Sequence, residues 1–326
     1  MERLLGKSGI KVSAMGFGCW AIGGPLWAGE DAVGWGEVDD QESIRALHCG
    51  IDLGINFIDT ADVYGAGHSE RIVAQAVKGK RDKLIIATKF GNVFDESTKQ
   101  ITGQDASAAF IKEACDASLK RLNTDYIDLY QFHNNDYDIE KAAEVRETLE
   151  ELIKQGKIRW YAWSTDFPDR AELFARGTGC TAIQYQENVF TDNAKVIDIC
   201  EKNNLAGINR GPLAMGLLSG KYSQDSKLGD KDVRGTNSPS WMQYFQKGKP
   251  SREFLDKLAA IRNILTAEGR SLVQGALAWL WARSKTTIPI PGFRTEKQVT
   301  ENAGAMQFGP LATEQMEEIE KILERE

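Results

Sequence analysis

The sequence predicts an α/β fold, a (β/α)8 TIM barrel formed by a single domain that spans residues 1–326. Helical patterns alternate with short β-branched or aromatic runs, which is typical of βα units around a parallel sheet. Polar residues follow nearly every predicted strand, whereas a doubly wound sheet gathers its ligand contacts at one switch point. No GxGxxG sequence follows the first predicted strand, which also disfavours the doubly wound alternative.

The N-terminal region predicts a hairpin, a strand and a long insertion. Leu4–Ser13, with glycines at its centre, predicts a short β-hairpin that precedes the barrel. Met15–Trp20 predicts the first barrel strand. The Gly- and Trp-rich stretch Gly23–Val38 is too long for a simple turn, and loops of that length at an active face tend to be functional.

The remaining elements follow from periodicity. Apolar residues at i, i+3 and i+4 predict helices at Asp40–Leu53, Ser69–Val77, Ala106–Leu122, Ile139–Gln155, Arg170–Ala175, Ala194–Asn203, Arg252–Ala267 and Leu272–Arg283. Short apolar runs predict the other barrel strands at Ile55–Ile58, Leu84–Lys89, Ile127–His133, Trp160–Thr165, Ala182–Gln186, Leu205–Gly211 and Thr287–Pro291. Two extra helices are expected after the last strand, at Glu296–Ala305 and Thr313–Leu323.

Residues 222–250 interrupt this alternation. The stretch is rich in Asp, Lys, Gly and Ser, and it carries Trp241, Tyr244 and Phe245. We expect a long loop over the barrel mouth that acts as a lid. A disordered insertion is the alternative interpretation.

Composition and charge indicate an ordinary soluble protein. Hydrophobic residues make up 42% of the chain and charged residues 27%. The net charge of -7 argues against nucleic acid or an anionic membrane as the main partner. The first residues lack an apolar signal core, and the longest apolar run, around Ala276–Ala282, is too short to span a bilayer. We therefore expect a cytoplasmic protein with a small-molecule substrate, while its oligomeric state stays open.

Cysteine and histidine spacing predicts neither a disulfide framework nor a metal site. The cysteines are odd in number and form no CxxC pair: Cys19, Cys49, Cys115, Cys180 and Cys200. Such scattered cysteines are typical of reduced thiols. His48 and His68 have no second ligand at metal spacing, so we expect both on the surface.

Four residues that can carry acid–base chemistry follow three successive predicted strands. Asp59 and Tyr64 follow the first of these strands, Lys89 ends the next, and His133 ends the third. The carboxyl ends of barrel strands meet at one face, so these side chains are expected to lie together. A cation can lower the pKa of a neighbouring phenol, and a carboxylate can hold the cation. The alternative is a buried Asp59–Lys89 ion pair that only fastens two strands together.

Several motifs occur together, in order, along the whole chain. They are Phe57–Gly65 with Gly67, Ser69 and Glu70; Thr88–Lys89; Asp128–Tyr130 with His133; Gly156–Arg159; Gly211–Leu213; Gly216–Tyr222; and Ile288–Gly292 with Arg294, Gln298 and Asn302. In these motifs the chain resembles the aldo-keto reductase superfamily, in particular its bacterial and potassium-channel-β-subunit-like branch. The resemblance implies an oxidoreductase that interconverts an aldehyde or ketone and an alcohol by hydride transfer. It assigns proton donation to Tyr64, lowering of the Tyr64 pKa to Lys89, pairing with Lys89 to Asp59, and orientation of the carbonyl to His133.

The resemblance also implies NADP(H), bound in an extended form across the barrel mouth. NAD(H) is less favoured because Arg294 suits a 2′-phosphate, a contact that Lys297 could equally make. The implied contacts are Cys19, Trp20, Asp59, Ser164, Thr165, Gln184, Arg210, Gly211, Pro212, Leu213, Gly216, Lys221, Arg234, Gly292, Arg294, Gln298, Glu301 and Asn302.

Two of these positions depart from the usual pattern of the family. Thr165 stands where Asn is common, which puts one carboxamide contact in doubt. Arg210 stands where many members have an aromatic residue that stacks on the nicotinamide. A planar guanidinium can stack in the same way, and the alternative is an Arg210 held in a salt bridge.

The substrate pocket is expected to form from loops that follow the strands. Its candidate residues are Trp27, Trp35, Asn134 and Trp241. Aromatic walls with a few amides suit a sugar, a polyol or an aryl carbonyl. The alternative is that some of these tryptophans only pack the loops.

Two other functions are compatible with part of these motifs. An NADP-binding regulatory subunit with slow turnover is disfavoured because His133 is retained. A barrel enzyme that uses Lys89 as a Schiff base is disfavoured by the presence of all four acid–base residues.

Overall fold

The computed structural model describes residues 1–324. Its strands are β1 (Glu2–Leu4), β2 (Lys11–Ser13), β3 (Phe17–Gly18), β4 (Trp27–Ala28), β5 (Asp31–Ala32), β6 (Phe57–Asp59), β7 (Ile85–Phe90), β8 (Asn92–Asp95), β9 (Gln100–Gln104), β10 (Ile127–Phe132), β11 (Ile158–Ser164), β12 (Cys180–Gln186), β13 (Ala206–Arg210), β14 (Phe245–Gln246), β15 (Lys249–Pro250) and β16 (Thr287–Pro289). Its α-helices are α1 (Asp40–Asp52), α2 (His68–Ala76), α3 (Ala108–Leu122), α4 (Ala142–Lys154), α5 (Pro168–Ala175), α6 (Ala194–Lys202), α7 (Arg252–Leu265), α8 (Leu272–Arg283), α9 (Glu296–Gly304) and α10 (Thr313–Ile322).

Eight parallel strands form a closed barrel. They pair in the order β3, β6, β7, β10, β11, β12, β13, β16. The ring closes because the Gly16 amide donates to the Pro289 carbonyl at 2.9 Å and the Gly18 amide to the Pro291 carbonyl at 3.1 Å. Helices lie in every crossover, and α9 and α10 follow the last strand. The predicted (β/α)8 TIM barrel with an N-terminal hairpin and extra C-terminal helices is therefore confirmed.

The barrel interior has an apolar floor and a polar upper layer. Alternate residues of a strand point to the same side, so one set of positions fills the interior. The floor consists of Phe57, Ala87, Leu129, Ala162, Ala182, Ile208 and Ile288, closed from below by Leu5 and Val12 of the hairpin. Two positions further along six of these strands stand Asp59, Lys89, Gln131, Ser164, Gln184 and Arg210. The fold thus gathers polar side chains at the carboxyl ends of the strands.

The structure contains a small second sheet that the sequence analysis missed. Residues 92–104 form a hairpin of β8 and β9, and β9 pairs with β4 of the 23–38 insertion. The strands are two to five residues long and none is a run of buried apolar residues. Period-two alternation is therefore too weak to identify them.

The first barrel strand is shorter than predicted. Of the predicted Met15–Trp20, only Phe17–Gly18 is strand, and Cys19–Ile22 forms a 3-10 helix. A 3-10 turn at this point carries Cys19 and Trp20 over the barrel mouth, next to the residues that follow β6.

Residues 222–250 contain little regular structure but pack closely. Val233, Met242, Tyr244 and Phe245 are buried in one cluster with residues of α7 and α8. The loop is also tied to the 23–38 insertion, because the Val233 amide donates to the Gly34 carbonyl at 2.8 Å. This packing argues against a disordered insertion, and the function of the loop as a lid stays a prediction. No helix within residues 1–324 is both long and apolar enough to cross a bilayer.

The turn after Tyr64 predicts a sharp sensitivity to side-chain volume. Gly65 has φ of +60°, and a Cβ added there would lie 1.7 Å from the Gly23 carbonyl oxygen. We expect Gly65→Ala to destabilise the protein by more than the ~1–2 kcal/mol that a left-handed residue costs alone. The free energy of unfolding in urea measures this effect.

Gly79→Ala is the matched control for that variant. Gly79 has φ of +76°, and a Cβ added there meets nothing within 4 Å. Equal losses for the two variants would show that the contact between Gly65 and Gly23 is not a tight one.

Candidate active site

A buried ion pair lies at the centre of the polar layer. Asp59 ends β6, Lys89 lies in the neighbouring β7, and their Oδ1 and Nζ atoms are 2.6 Å apart. Asp59 is 1% exposed and Lys89 is 0% exposed. An isolated charge in such a place would be strongly destabilising, so each of these groups depends on the other.

Lys89 uses all three of its protons within the protein. Nζ donates to Asp59 Oδ1 at 2.6 Å, to the Thr60 carbonyl at 2.8 Å and to the Tyr64 hydroxyl at 3.1 Å. An ammonium group has three donors and no acceptor, so the Tyr64 oxygen is the acceptor in the last contact. The hydroxyl proton of Tyr64 therefore points away from Lys89 and is available to another acceptor.

A tight turn brings Tyr64 over Lys89. The Tyr64 amide donates to the Ala61 carbonyl at 3.2 Å, which closes the turn just after β6. Helix α2 follows and is anchored by Glu70, whose carboxylate accepts from the Thr88 hydroxyl and from Arg121 Nε, each at 2.6 Å. Glu70 is buried, so this ion pair fixes the turn from outside the barrel.

His133 faces Tyr64 across the mouth. Its ring follows β10 and lies edge-on to the Tyr64 ring, with the two centroids 5.8 Å apart. The His133 amide donates to the Phe90 carbonyl at 2.8 Å, which fixes its height above the barrel. Within residues 1–324, His133 Nδ1 is buried and has no hydrogen-bond partner.

Burial and the local charges determine the protonation of these groups. Burial raises the pKa of Tyr64 above its ordinary value, although Lys89 acts in the opposite direction. Burial, with Lys89 and then Arg210, holds the pKa of His133 well below its usual range. Burial alone would lower the pKa of Lys89, but Asp59 and Tyr64 together raise it. The protein thus contains a protonated phenol, a neutral imidazole and an ammonium group.

The Tyr64 result qualifies what the resemblance implied. Lys89 does favour ionisation of the phenol, but in the protein alone this effect is smaller than that of burial. The pKa of Tyr64 therefore lies above, and not below, that of a free tyrosine.

A chain of amides extends the ion pair across the barrel. Asp59 Oδ2 accepts from Gln131 Nε2 at 2.7 Å and from Gln184 Nε2 at 2.8 Å. Ser164 in turn donates to Gln184 Oε1 at 3.2 Å. Sequence analysis missed Gln131, although it lies two residues before His133 and thus on the same face of β10.

Arg210 is held in a salt bridge, the alternative considered from the sequence. Its guanidinium pairs with Asp166 and donates to Gln186 Oε1 at 3.2 Å. The Asp166 side chain also accepts from the Gln186 amide at 2.7 Å, so the acid is itself fixed. Arg210 lies at the mouth, close enough to act on the pKa values of both His133 and Tyr64.

Thr165 does not present its hydroxyl to the mouth. Its Oγ1 donates to the Asn135 carbonyl at 2.7 Å and accepts from the Phe167 amide at 3.3 Å. The residue is also fully buried. Its only hydroxyl proton is already used, so the Thr165 side chain could contact a cofactor only as an acceptor, and its role as a cofactor contact stays a prediction.

Aromatic side chains form one wall of the mouth. The Trp20 ring is stacked 6.0 Å from the Tyr64 ring and lies 5.4 Å from Trp35 and 6.3 Å from Trp241. Trp241 is 56% exposed, unlike most aromatic residues of the chain. Asn134 is buried directly after His133, where the Trp163 indole donates to its carbonyl at 2.9 Å.

Trp27 lies apart from this wall. It forms part of the small sheet, where its amide donates to the Lys99 carbonyl at 2.9 Å. Its ring makes no aromatic contact with Tyr64, His133 or Trp20 in the described part of the chain. Of the predicted pocket residues, Trp35 and Trp241 belong to the aromatic wall and Asn134 follows His133, whereas the placement of Trp27 in the pocket stays a prediction.

The segment after β13 has an unusual backbone. Ala214, Met215 and Gly216 have φ angles of 47°, 56° and 89° in succession. Gly211, Pro212 and Leu213 connect this segment to β13, and Lys221 follows it on the surface. Arg234 lies beside it, and its Nη1 donates to the Met215 carbonyl at 3.1 Å.

Arg234 is neutralised within the protein. Its guanidinium makes a two-point contact with Asp232, at 2.8 Å and 2.7 Å, and lies 4.5 Å from the Trp35 ring. In this arrangement it fastens the 222–250 loop to the segment after β13. These contacts and the one with the Tyr222 hydroxyl use four of its five N–H donors, so a contact of Arg234 with a phosphate stays a prediction.

The segment after β16 carries unpaired polar groups. Arg294 donates to the backbone carbonyls of Trp35 and Glu37, and no carboxylate of residues 1–324 pairs with it. Gln298 Oε1 accepts from the Arg294 amide at 2.7 Å. The Asn302 side chain is 4% exposed, and within the same residues no hydrogen bond to it is found. Gly292 is exposed and Glu301 half-buried in the same segment.

Comparison with known proteins agrees with this geometry. The model of the Aldo/keto reductase family matches residues 14–324. Aldo-keto reductase YhdN of Bacillus subtilis is 34% identical over 326 residues, covering 98% of this chain and 92% of the relative. Aldo-keto reductase yakc [NADP(+)] of Schizosaccharomyces pombe is 29% identical over 305 residues, covering 91% of this chain and 84% of the relative.

A solved structure is also similar over most of its length. The glycerol dehydrogenase AKR11B4 from Gluconobacter oxydans superposes with a TM-score of 0.79 at 30% identity, covering 96% of this chain and 92% of that one. Because the family model covers almost the whole chain, this protein belongs to the Aldo/keto reductase family and is an oxidoreductase.

Proposed function

We propose that this protein is an NADP(H)-dependent reductase that interconverts a carbonyl and an alcohol, with Tyr64 as the general acid or base. The observation that carries the proposal is the contact of Lys89 Nζ with both Asp59 and the Tyr64 hydroxyl, at 2.6 Å and 3.1 Å. This contact lies at the carboxyl end of the barrel, where enzymes of this fold carry out their chemistry.

Tyr64 can donate a proton in the direction of reduction. NADPH, when bound, would supply the hydride, and the carbonyl oxygen would then gain negative charge that a donor must neutralise. The Tyr64 proton is free for this task because Lys89 already donates to its oxygen. After transfer, the same Lys89 contact stabilises the phenolate that remains. Reduction thus needs the protonated phenol, and oxidation needs its conjugate base.

His133 is suited to orient the carbonyl without taking its proton. The low pKa of its imidazole keeps the ring neutral, so it can offer one N–H donor. The ring lies at the edge of Tyr64, so both groups can reach one oxygen atom in the mouth. Lys89 is a poor Schiff-base nucleophile, because it is protonated, ion-paired and 0% exposed.

The residues present fit an extended dinucleotide. The Asn302 amide makes no side-chain hydrogen bond within residues 1–324, so its donor and acceptor are available to a ligand. The positive-φ segment at Ala214–Gly216 is suited to approach a pyrophosphate closely. At the other end, Ser164 and Gln184 would hold the carboxamide, bordered by Cys19, Trp20 and Arg210.

Arg294 favours NADP(H) over NAD(H). Its guanidinium donates to two carbonyls and has no carboxylate partner in the described residues, so its charge remains available to a 2′-phosphate. The printed name of the yakc relative also specifies NADP(+).

A sugar, polyol or aryl carbonyl is the proposed substrate class. Trp20, Trp35 and Trp241 form an aromatic wall that suits the apolar face of a sugar or an aryl ring. Asn134 supplies an amide next to His133. The relative from Gluconobacter oxydans is named as a glycerol dehydrogenase, which supports the polyol alternative.

Tyr64→Phe tests the acid–base role. The variant lacks the proton donor but retains the ring, so we expect NADPH-dependent turnover of 4-nitrobenzaldehyde to fall by roughly 10²–10⁴-fold. Binding of NADPH, followed by its fluorescence, should change little. Tyr130→Phe is the matched control, because the Tyr130 hydroxyl is buried and has no partner within residues 1–324.

Two results would contradict the proposal. Equal turnover of the wild type and Tyr64→Phe would remove Tyr64 from the mechanism. A single burst followed by almost no steady-state turnover of any carbonyl would favour the regulatory subunit that binds NADP.

Arg294→Met tests the cofactor preference. Loss of a charge-assisted contact to the 2′-phosphate should raise the Kd of NADPH about 10–100-fold and leave that of NADH within about threefold. Arg45→Met is the control, because Arg45 lies close by and pairs with Glu42 and Glu296. An equal effect on both cofactors would show a structural role for Arg294, and an unchanged NADPH affinity would point to Lys297.

A further inference from the structure

Gln131 is a fully buried amide that touches the ion pair from the side opposite to Lys89. It lies in β10, above the apolar floor residue Leu129, and is 0% exposed. Its Nε2 donates to Asp59 Oδ2 at 2.7 Å, and its Oε1 accepts from Gln184 Nε2 at 3.1 Å. Both ends of the amide are therefore used.

The orientations of the two amides follow from the charge of Asp59. An ionised carboxylate can only accept, so the nitrogen atoms of Gln131 and Gln184 must face it. Gln184 Nε2 has two protons, and they are donated to Asp59 and to Gln131 Oε1. Gln184 Oε1 is consequently turned towards Ser164 and the mouth. Without Gln131, nothing would fix the second proton of Gln184.

We propose that Gln131 is a positioning residue for the reaction, one that keeps the Asp59 carboxylate turned towards Lys89. This inference rests on the proposed function, since it concerns the group that holds Lys89 beneath Tyr64. Asp59 is 1% exposed, so its charge is solvated by the protein alone. With Lys89 on Oδ1 and two amides on Oδ2, the carboxylate has three donors. Gln131 supplies one of the three and sets the direction of a second.

Loss of Gln131 should act on Tyr64 through Lys89. A less well solvated Asp59 is a weaker partner for the ammonium group, so it would raise the pKa of Lys89 by less. A neutral Lys89 would no longer stabilise the Tyr64 phenolate. The other titratable groups that act on this pair are Cys19 and Asp62, whose pKa values are raised by burial, and His133, whose pKa is held low by burial. All three are therefore neutral, and none of them replaces the charge of Asp59.

Two variants with similar volume separate positioning from packing. Gln131→Met removes both hydrogen-bonding ends, and we expect kcat/KM for 4-nitrobenzaldehyde to fall roughly 10–100-fold at every pH. Gln131→Glu keeps a donor only while its carboxyl is protonated. We therefore expect activity within about threefold of the wild type at low pH and a progressive loss as the pH rises. A packing role alone would give no such rescue.

Unfolding in urea tests the charge of Asp59 without any turnover. The carboxyl introduced by Gln131→Glu lies against ionised Asp59, so its pKa in the folded protein is above the value near 4.3 of an unfolded chain. The folded variant then retains a proton that the unfolded chain has lost. Its stability relative to the wild type should fall as the pH rises through the folded pKa, by roughly 10–100-fold in the unfolding equilibrium constant. Gln131→Met should show no such slope.

The same Gln131→Glu change made in an Asp59→Asn protein is the matched control for this pH dependence. With the negative charge removed, the introduced carboxyl loses its repulsion and gains Lys89 as a partner, so the slope should become shallow or reverse. Thr287→Val is the control for a buried polar change elsewhere in the barrel, because its hydroxyl is bonded to the Leu280 and Ser284 carbonyls. It should lower stability and leave the pH profile of kcat/KM unchanged.

The outcomes separate this inference from the proposed function. If Tyr64→Phe is fully active, the proposed function is wrong, and the urea series still decides whether Asp59 is ionised beside Gln131. If Tyr64→Phe is inactive while Gln131→Met keeps the wild-type rate and pH profile, the positioning role is overturned. The positioning role is also overturned if the stability of Gln131→Glu has the same pH dependence with and without Asp59→Asn.

Discussion

The buried contact between Asp59 and Lys89 is the interaction on which the candidate active site depends. Two charges that are almost completely removed from water persist because the hydrogen-bonding groups of both side chains are used. Asp59 has three donors and Lys89 has three acceptors. This saturation fixes the directions of the side chains and leaves the Tyr64 proton as the group directed elsewhere.

The interior of the barrel has an apolar layer at one end and the polar residues of the candidate active site at the other. Phe57, Leu129 and Ile208 belong to an apolar floor, and their strands change to polar residues only two positions later. The floor needs no hydrogen bonds, so the polar network above it can be completed without competition from below. The chemistry is then confined to the end of the barrel where the 23–38 and 222–250 loops meet.

Much of the fold could be predicted because the signal was periodic and long. Helices such as α3, with a buried apolar stripe, and strands such as β10, buried along its length, follow from the spacing of apolar residues. The short strands β4, β5, β8 and β9 could not, since pairing between distant segments stabilises them.

The candidate active site also has a part that could be predicted from the sequence and a part that could not. Asp59, Tyr64, Lys89 and His133 follow strands in order, so the barrel topology alone brings them together. The pairing of Arg210 with Asp166 and the inward turn of the Thr165 hydroxyl depend on loop geometry that sequence patterns do not encode. The sequence also could not predict the direction in which the pKa of Tyr64 is shifted. That direction depends on the balance between burial, which raises the pKa, and Lys89, which lowers it.

Closure of the ring has a consequence for synthesis of the chain. Lys7 of the hairpin donates to the Gly177 carbonyl, and Thr181 donates to the Leu5 carbonyl, across 170 and 176 positions of sequence. The N-terminal hairpin can make these contacts only after β12 has been synthesised. The hydrogen bond from the Gly16 amide to the Pro289 carbonyl, which closes the barrel, can form only after β16 has been synthesised. Contacts of such long range are slow to form. An incomplete nascent barrel therefore leaves the edges of β3 and of its newest strand open to pairing with other chains until β16 closes the ring.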